Sequence, residues 1–217
     1  TLVSFTYMAH SGQARAQGKR IYPESWTDLR ANYPGAVAKE LDALVSTTKE
    51  TARPGIILLY GPPGTGKTRF LSSLAKEWKE WCETTFVLDP SRLFTDPDYL
   101  LSAVYPALFN GYENKPLLLV IEDAGDYLFG AAAEEALAKI LNLADGVLGS
   151  SSKLMLLLTT NKASDNIAAS LTRPGRCIAN VHLDKFGVEE AREWASAHDK
   201  NPDSIDQRIT LAELYDL

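Results

Sequence analysis

Three observations on this 217-residue chain predict an α/β fold with a five-stranded parallel sheet sandwiched between helices. Short runs of apolar and β-branched residues alternate with longer stretches whose apolar residues recur at helical spacing, as strand–helix–strand units require. One run, Leu117-Leu118-Leu119-Val120-Ile121, is apolar at every position, so both of its faces need cover. A second, Ile56-Ile57-Leu58-Leu59-Tyr60, passes through Gly61, Gly64 and Gly66 straight into a helix-periodic stretch.

Residues 1–34 are mixed in composition and are expected to form an N-terminal segment, partly flexible, in which Gln13 to Arg20 is a mobile, solvated basic loop. A helix starts after Pro34, with Val37, Leu41, Leu44 and Val45 on one face. Thr51-Ala52-Arg53-Pro54-Gly55 separates it from the first strand, 56–60. The next helix carries Phe70, Leu71, Leu74, Trp78 and Trp81 at helical spacing, which puts both tryptophans against the sheet. Thr84 to Leu88 reads as the second strand. Asp96-Pro97 reads as an N-cap followed by proline, opening a helix with Leu100, Leu101, Val104 and Tyr105 that Pro106 should end or kink. The third strand is 117–121, and Ala131 to Ala144 is helical with Leu137, Ile140, Leu141 and Ala144 inward. Leu154 to Thr160 and Ile178 to Leu183 complete the five strands, and no internal repeat is present.

Composition narrows the function. A formal net charge of −6 argues against a domain built to grip nucleic acid through a broad basic face. The longest apolar runs are strand-length, too short to cross a membrane as a helix, and the first residues lack a basic-then-apolar leader pattern. Cys82 and Cys177 form no C-x-x-C and read as reduced thiols of a cytoplasmic protein. His10, His182 and His198 lack metal-site spacing, and no Gly-x-Ser-x-Gly occurs.

Positive evidence comes from Gly61-Pro62-Pro63-Gly64-Thr65-Gly66-Lys67-Thr68, a complete G-x-x-x-x-G-K-[ST] string between a strand and a helix. Successive backbone N–H groups and the positive end of a helix dipole converge there, which suits phosphate. Lys67 is the partner for the β- and γ-phosphates, and the Thr68 hydroxyl is suited to Mg²⁺. With Arg69, these residues are the expected nucleotide-binding set. Hydrolysis further needs carboxylates beside the phosphate loop, and Glu122-Asp123 closes the third strand.

These strings together resemble the AAA branch of the AAA+ ATPases and, within it, a group of actinobacterial AAA proteins. The resemblance rests on residues 57–68, on Leu119-Val120-Ile121-Glu122-Asp123 and on Leu141-Asn142-Leu143-Ala144-Asp145-Gly146. It continues through Leu158-Thr159-Thr160-Asn161 and Leu171-Thr172-Arg173-Pro174-Gly175-Arg176. It implies a P-loop NTPase core over 35–185 and a short, partial C-terminal helical lid over 186–217. It also implies ATP and Mg²⁺ as ligands, with Thr68 and Glu122 on the metal side. Asp123 takes the position that polarises water, and Asn161 looks like sensor 1. Arg173 and Arg176 look like paired arginine fingers, which implies a homo-oligomer, hexameric in the family, whose sites are completed in trans and which acts on a protein client.

Three features depart from the family. The carboxylates run Glu-Asp rather than Asp-Glu, which shifts each reach by one methylene and predicts slower hydrolysis. The lid reads as Val188 to Ala195 and then Ile209 to Tyr215, with no arginine in a later helix. The pore-loop region offers only Phe94 as a possible pore aromatic, and it reads better as an exposed or locally packed phenylalanine. Beside a remodelling ATPase, the sequence therefore admits a slow ATP-dependent assembly switch, or a DNA-linked loader.

Overall fold

The computed structural model describes residues 1–9, 14–109, 115–127, 154–162 and 176–217. Among these described residues seven strands form one sheet: β1 (Leu2–Met8), β2 (Ala14–Arg20), β3 (Gly55–Tyr60), β4 (Glu83–Val87), β5 (Leu117–Ile121), β6 (Leu154–Thr160) and β7 (Cys177–His182). Their order is β2-β1-β4-β5-β6-β3-β7. The five expected strands are all present and parallel. The expectation of five in total is corrected to seven: β1 adds parallel to β4, and β2 pairs antiparallel with β1 at the sheet edge. The basic stretch expected as a mobile loop thus contains an edge strand. Residues 15–20 are all exposed, so no apolar alternation betrays them, and charged side chains are what keeps a free edge from recruiting other chains.

Two cores flank the sheet, and the period of two decides which residue enters which. Ile57, Leu59, Leu118, Val120, Met155 and Leu157 face one side. There they meet α1 (Trp26–Leu29) through Trp26 and Leu29, α2 (Gly35–Val45) through Val37, Leu41 and Leu44, and α3 (Lys67–Trp78) through Phe70, Leu71, Leu74 and Trp78. Ile56, Leu58, Leu117, Leu119, Ile121, Leu154, Leu156 and Leu158 face the other side. Their cover is Leu93 of α4 (Pro90–Thr95) and Tyr99, Leu100, Ala103 and Val104 of α5 (Pro97–Phe109). Burial on both faces is why the central strands read as uninterrupted apolar runs. Phe94 packs, partly buried, against this second core, in agreement with the local reading.

Asp96 caps α5, its Oδ1 accepting from the backbone N–H groups of Asp98 and Tyr99 at 3.0 and 3.2 Å. The helix does not end at Pro106 but runs to Phe109. This close to a helix terminus, proline forfeits one backbone hydrogen bond and the last turn closes without it. The rings of Trp78 and Trp81 pack tilted at 46° with centroids 4.9 Å apart, Trp78 fully buried and Trp81 partly so just beyond the helix. The helix expected over 131–144 lies outside the described residues.

A third, smaller core holds the C-terminal residues together. Phe186 and Ile209 bridge, and with Ala191, Trp194 and Ala195 of α6 (Val188–Ala197) they enclose Leu211 and Leu214 of α7 (Leu211–Tyr215). Thr210 and Glu213 form a capping box at the start of α7. Both cysteines are free; burial pushes the Cys82 thiol up to about 12 and also raises that of the half-buried Cys177, where the charge of Arg53 opposes the shift. At about pH 8 a thiol reagent is therefore expected to label Cys177 in the folded protein and Cys82 only after unfolding. Equal labelling of both in the folded state would contradict the packing around Cys82.

Candidate functional site

Parallel strands bring their C-terminal ends to one edge of the sheet, and this topology assembles the site. β6 lies between β3 and β5, so the residues leaving its C-terminal end sit between the glycine loop and the carboxylates. The register aligns Leu58, Leu158 and Ile121 across the three strands, so Gly61, Asn161 and Glu122 leave the sheet at neighbouring points. Such strand-end crevices are where open α/β sheets bind ligands.

The loop conformation depends on glycine. Gly61, Gly64 and Gly66 have φ of 145°, 81° and 90°, values that disfavour any side chain. At Gly61 the approach is also close, since a Cβ would lie 2.1 Å from the carbonyl oxygen of Leu183. Thr65 Oγ1 donates to the Pro62 carbonyl at 2.9 Å and pins the turn. Tyr33 is buried and donates its hydroxyl to the Gly66 carbonyl at 2.9 Å, bracing the loop at the start of α3. Burial raises the Tyr33 phenol well above its ordinary value, so it stays a donor.

Lys67 is buried, its Nζ donating to the carbonyls of Gly61 and Pro62 at 2.8 and 2.9 Å. Burial lowers its pKa, and the charge of Asp123 opposes that shift. Thr68 Oγ1 donates to Glu122 Oε2 at 2.5 Å, joining two sequence motifs 54 residues apart. Asp123 holds a positive φ of 50°, a strained value that aspartate tolerates better than most residues. Its backbone N–H donates to Thr159 Oγ1 at 3.0 Å, and its Oδ1 accepts from Asn161 Nδ2 at 3.3 Å. All of these groups border one cavity of about 460 Å³, lined by Pro63, Gly64, Gly66, Lys67, Thr68, Arg69, Glu122, Asp123, Thr159 and Asn161 from the core. Leu211, Ala212 and Tyr215 of α7 complete its wall.

The geometry thus gathers the expected Gly64, Gly66, Lys67, Thr68, Arg69, Glu122, Asp123 and Asn161 around one space, with Gly61, Pro62 and Thr65 shaping the loop behind it. Hydroxyl and carboxylate oxygens 2.5 Å apart are hard donors of the kind Mg²⁺ takes, alongside phosphate oxygens and water. Among the described residues no cluster of three or more His, Cys, Asp or Glu forms a metal site on protein ligands alone. Arg176 lies elsewhere: its carbonyl accepts from Ile56 N at 2.8 Å, at the opposite end of β3 from Gly61. Five residues of strand put its backbone roughly 15 Å or more from the phosphate loop of its own chain. Arg173 lies outside the described residues. Tyr33, Leu211, Ala212 and Tyr215 were not foreseen. The run Ile209 to Tyr215 read as a lid helix, but nothing in the sequence indicated which surface it would meet.

The family described as "ATPase family associated with various cellular activities (AAA)" matches residues 57–185, more than half of the chain. A probable mitochondrial chaperone bcs1 of Schizosaccharomyces pombe is 31% identical over 63% of this chain and 30% of its own length. An ATP-dependent zinc metalloprotease FtsH 2 of Thermoanaerobacter is 27% identical over 74% of this chain and 32% of its own. A Cell division cycle protein 48 homolog of Archaeoglobus fulgidus is 26% identical over 76% of this chain and 22% of its own. The chain therefore spans about a fifth to a third of the length of these relatives. With the family match running from within β3, through the phosphate loop and the carboxylates, to just past β7, this chain belongs to the AAA ATPase family.

Proposed function

We propose that this chain is a Mg²⁺-dependent ATPase whose residues 35–185 form the catalytic core and whose residues 186–217 form a partial lid. The observation that carries the reading is the convergence of Lys67, Thr68, Glu122, Asp123 and Asn161 on one cavity. Lys67 and the loop N–H groups bind the triphosphate, and Arg69 stands at the same cavity wall. Thr68 and Glu122 would hold Mg²⁺, which when bound neutralises charge building up between the β- and γ-phosphates. Asp123 accepts the hydrogen bond of the attacking water and draws its proton away. The Asn161 amide, already bonded to Asp123, fixes that carboxylate and offers a donor toward the γ-phosphate.

Arg176 is too far from its own phosphate loop to assist there, which favours a role at a neighbouring copy, and we assign Arg173, three positions earlier in the sequence, the same role. On this reading the working form is a homo-oligomer, and its client is a protein. The relatives described as a chaperone and as an ATP-dependent protease support that class of client. We assign the protein to the cytoplasm on its two free cysteines. The direct test is calorimetric titration with MgATP. Lys67→Ala is expected to weaken binding at least 100-fold, by removing the buried cation that faces the phosphates. Unchanged binding in that variant would overturn the reading. A steady-state rate that rises cooperatively with protein concentration separates the remodelling enzyme from an assembly switch, whose rate stays flat and low.

A further inference from the structure

Arg69 ties three parts of the molecule together. It is the third residue of α3, directly after Thr68, and it lines the phosphate cavity. Its Nη2 donates to Glu24 Oε2 at 2.6 Å, which anchors it to the N-terminal segment. Its guanidinium lies 4.9 Å from the ring centre of Tyr215, the last residue of α7. The other end of α7 is fastened as well: Ala212 N–H donates to the carbonyl of Gly64, inside the phosphate loop, at 2.9 Å. Tyr215 is held in place by its hydroxyl, which donates to Asn32 Oδ1 at 3.2 Å, and by an edge contact with Trp194 at 5.0 Å.

We propose that Arg69 is a positioning residue that couples phosphate binding to the lid: it clasps α7 through Tyr215 when the cavity holds no phosphate, and turns to the phosphates when they arrive, releasing α7. The proposal rests on the reading of the cavity as a triphosphate site. Its physical basis is competition for one cation. Glu24 is half-exposed, and a carboxylate in water holds its partner weakly. A nucleoside triphosphate brings three to four negative charges into the cavity that Arg69 already borders, and phosphate oxygens suit the planar fork of a guanidinium better than a ring face does. A fork turned to chelate phosphate gives up its seat over Tyr215. Nucleotide must therefore displace the clasp, and its apparent affinity is lowered by the fraction of molecules that are clasped.

The test uses the full 217-residue chain, a non-hydrolysable MgATP analogue, and hydrogen exchange at the α7 amides. In the parent protein the analogue should speed exchange in α7 roughly two- to fivefold, the range of an exposed cation–π contact. Tyr215→Ala should show that faster exchange without nucleotide, should gain nothing further from the analogue, and should bind it roughly two- to fivefold tighter. Tyr215→Phe, which keeps the ring under Arg69 but loses the bond to Asn32, should retain most of the α7 protection that Tyr215→Ala loses and should still respond to the analogue. Glu24→Gln, which leaves the lid intact, should move exchange in the same direction as Tyr215→Ala. Arg69→Ala should loosen α7 without tightening binding. Unchanged α7 exchange in nucleotide-free Tyr215→Ala would overturn the clasp, as would parent protein that binds the analogue with no change in α7. Failure of the parent to bind the analogue at all would instead refute the triphosphate reading; the release half of the proposal falls with it, and the nucleotide-free comparison still decides the clasp.

Discussion

Asp123→Asn is expected to bind MgATP with near-parental affinity while its turnover falls by about 100-fold or more, the usual contribution of a positioned general base. The substitution keeps size and hydrogen-bonding shape but removes the charge that draws a proton from water. Asn161 now donates to Asp123 Oδ1 at 3.3 Å, and it can still do so to an amide oxygen, so the local scaffold should survive. The backbone also favours the exchange, because Asn tolerates the positive φ of this position as well as Asp does. A loss in kcat with KM unchanged is the expected signature, measured by phosphate release under saturating ATP. Unchanged turnover would transfer the catalytic role to another group, with Glu122 as the nearest candidate. That carboxylate already accepts from Thr68 at 2.5 Å, which suits it to the metal side rather than to water.

The second large effect concerns Arg176. Loss of an arginine that stabilises charge on a transferring phosphoryl group lowers turnover by about 10³-fold or more in related chemistry. Arg176→Ala, or Arg173→Ala, is expected to fall by this order while ATP binding stays intact. The position of Arg176 at the far end of β3 sharpens the test, because on the proposed reading the dependence is then intermolecular. Lys67→Ala protein keeps its arginines but cannot bind triphosphate, and Arg176→Ala protein binds it but lacks the arginine. Mixed together, the two inactive variants should recover activity at interfaces where an intact loop meets an intact arginine. No recovery on mixing, across a range of ratios, would restrict Arg176 to a structural role within its own chain.

The elements and residues that the sequence disclosed are those whose signal is local. Strands β3, β5 and β6 announced themselves because burial on both faces leaves nothing but apolar residues in a short run. The loop was readable because its glycines, Lys67 and Thr68 must be contiguous to do their work. Glu122 and Asp123 were readable because a strand end fixes their position. β2 was hidden because an edge strand with an exposed surface needs no apolar residue, and Ala14 to Arg20 looks like any basic linker. Tyr33, Ala212 and Tyr215 were hidden for a different reason. Each meets the loop or Arg69 across a long stretch of chain, and neither periodicity nor composition encodes such a meeting. That Arg176 sits against the start of β3 was equally out of reach, since it depends on the order in which strands lie side by side.

The sheet's strict alternation has an energetic consequence. Ile57 and Leu58 are bonded neighbours, yet they belong to compartments separated by a layer of backbone. Trimming both should cost close to the sum of the separate losses, since they share few partners. Leu58 and Leu119, 61 positions apart in the chain, share one compartment, and the loss at one depends on how the other relaxes into the space. Proximity along the polypeptide is therefore a poor guide to thermodynamic kinship here. A drift of sequence in one compartment can proceed with little regard to the other, so long as the backbone layer that carries the phosphate loop and the carboxylates stays in register.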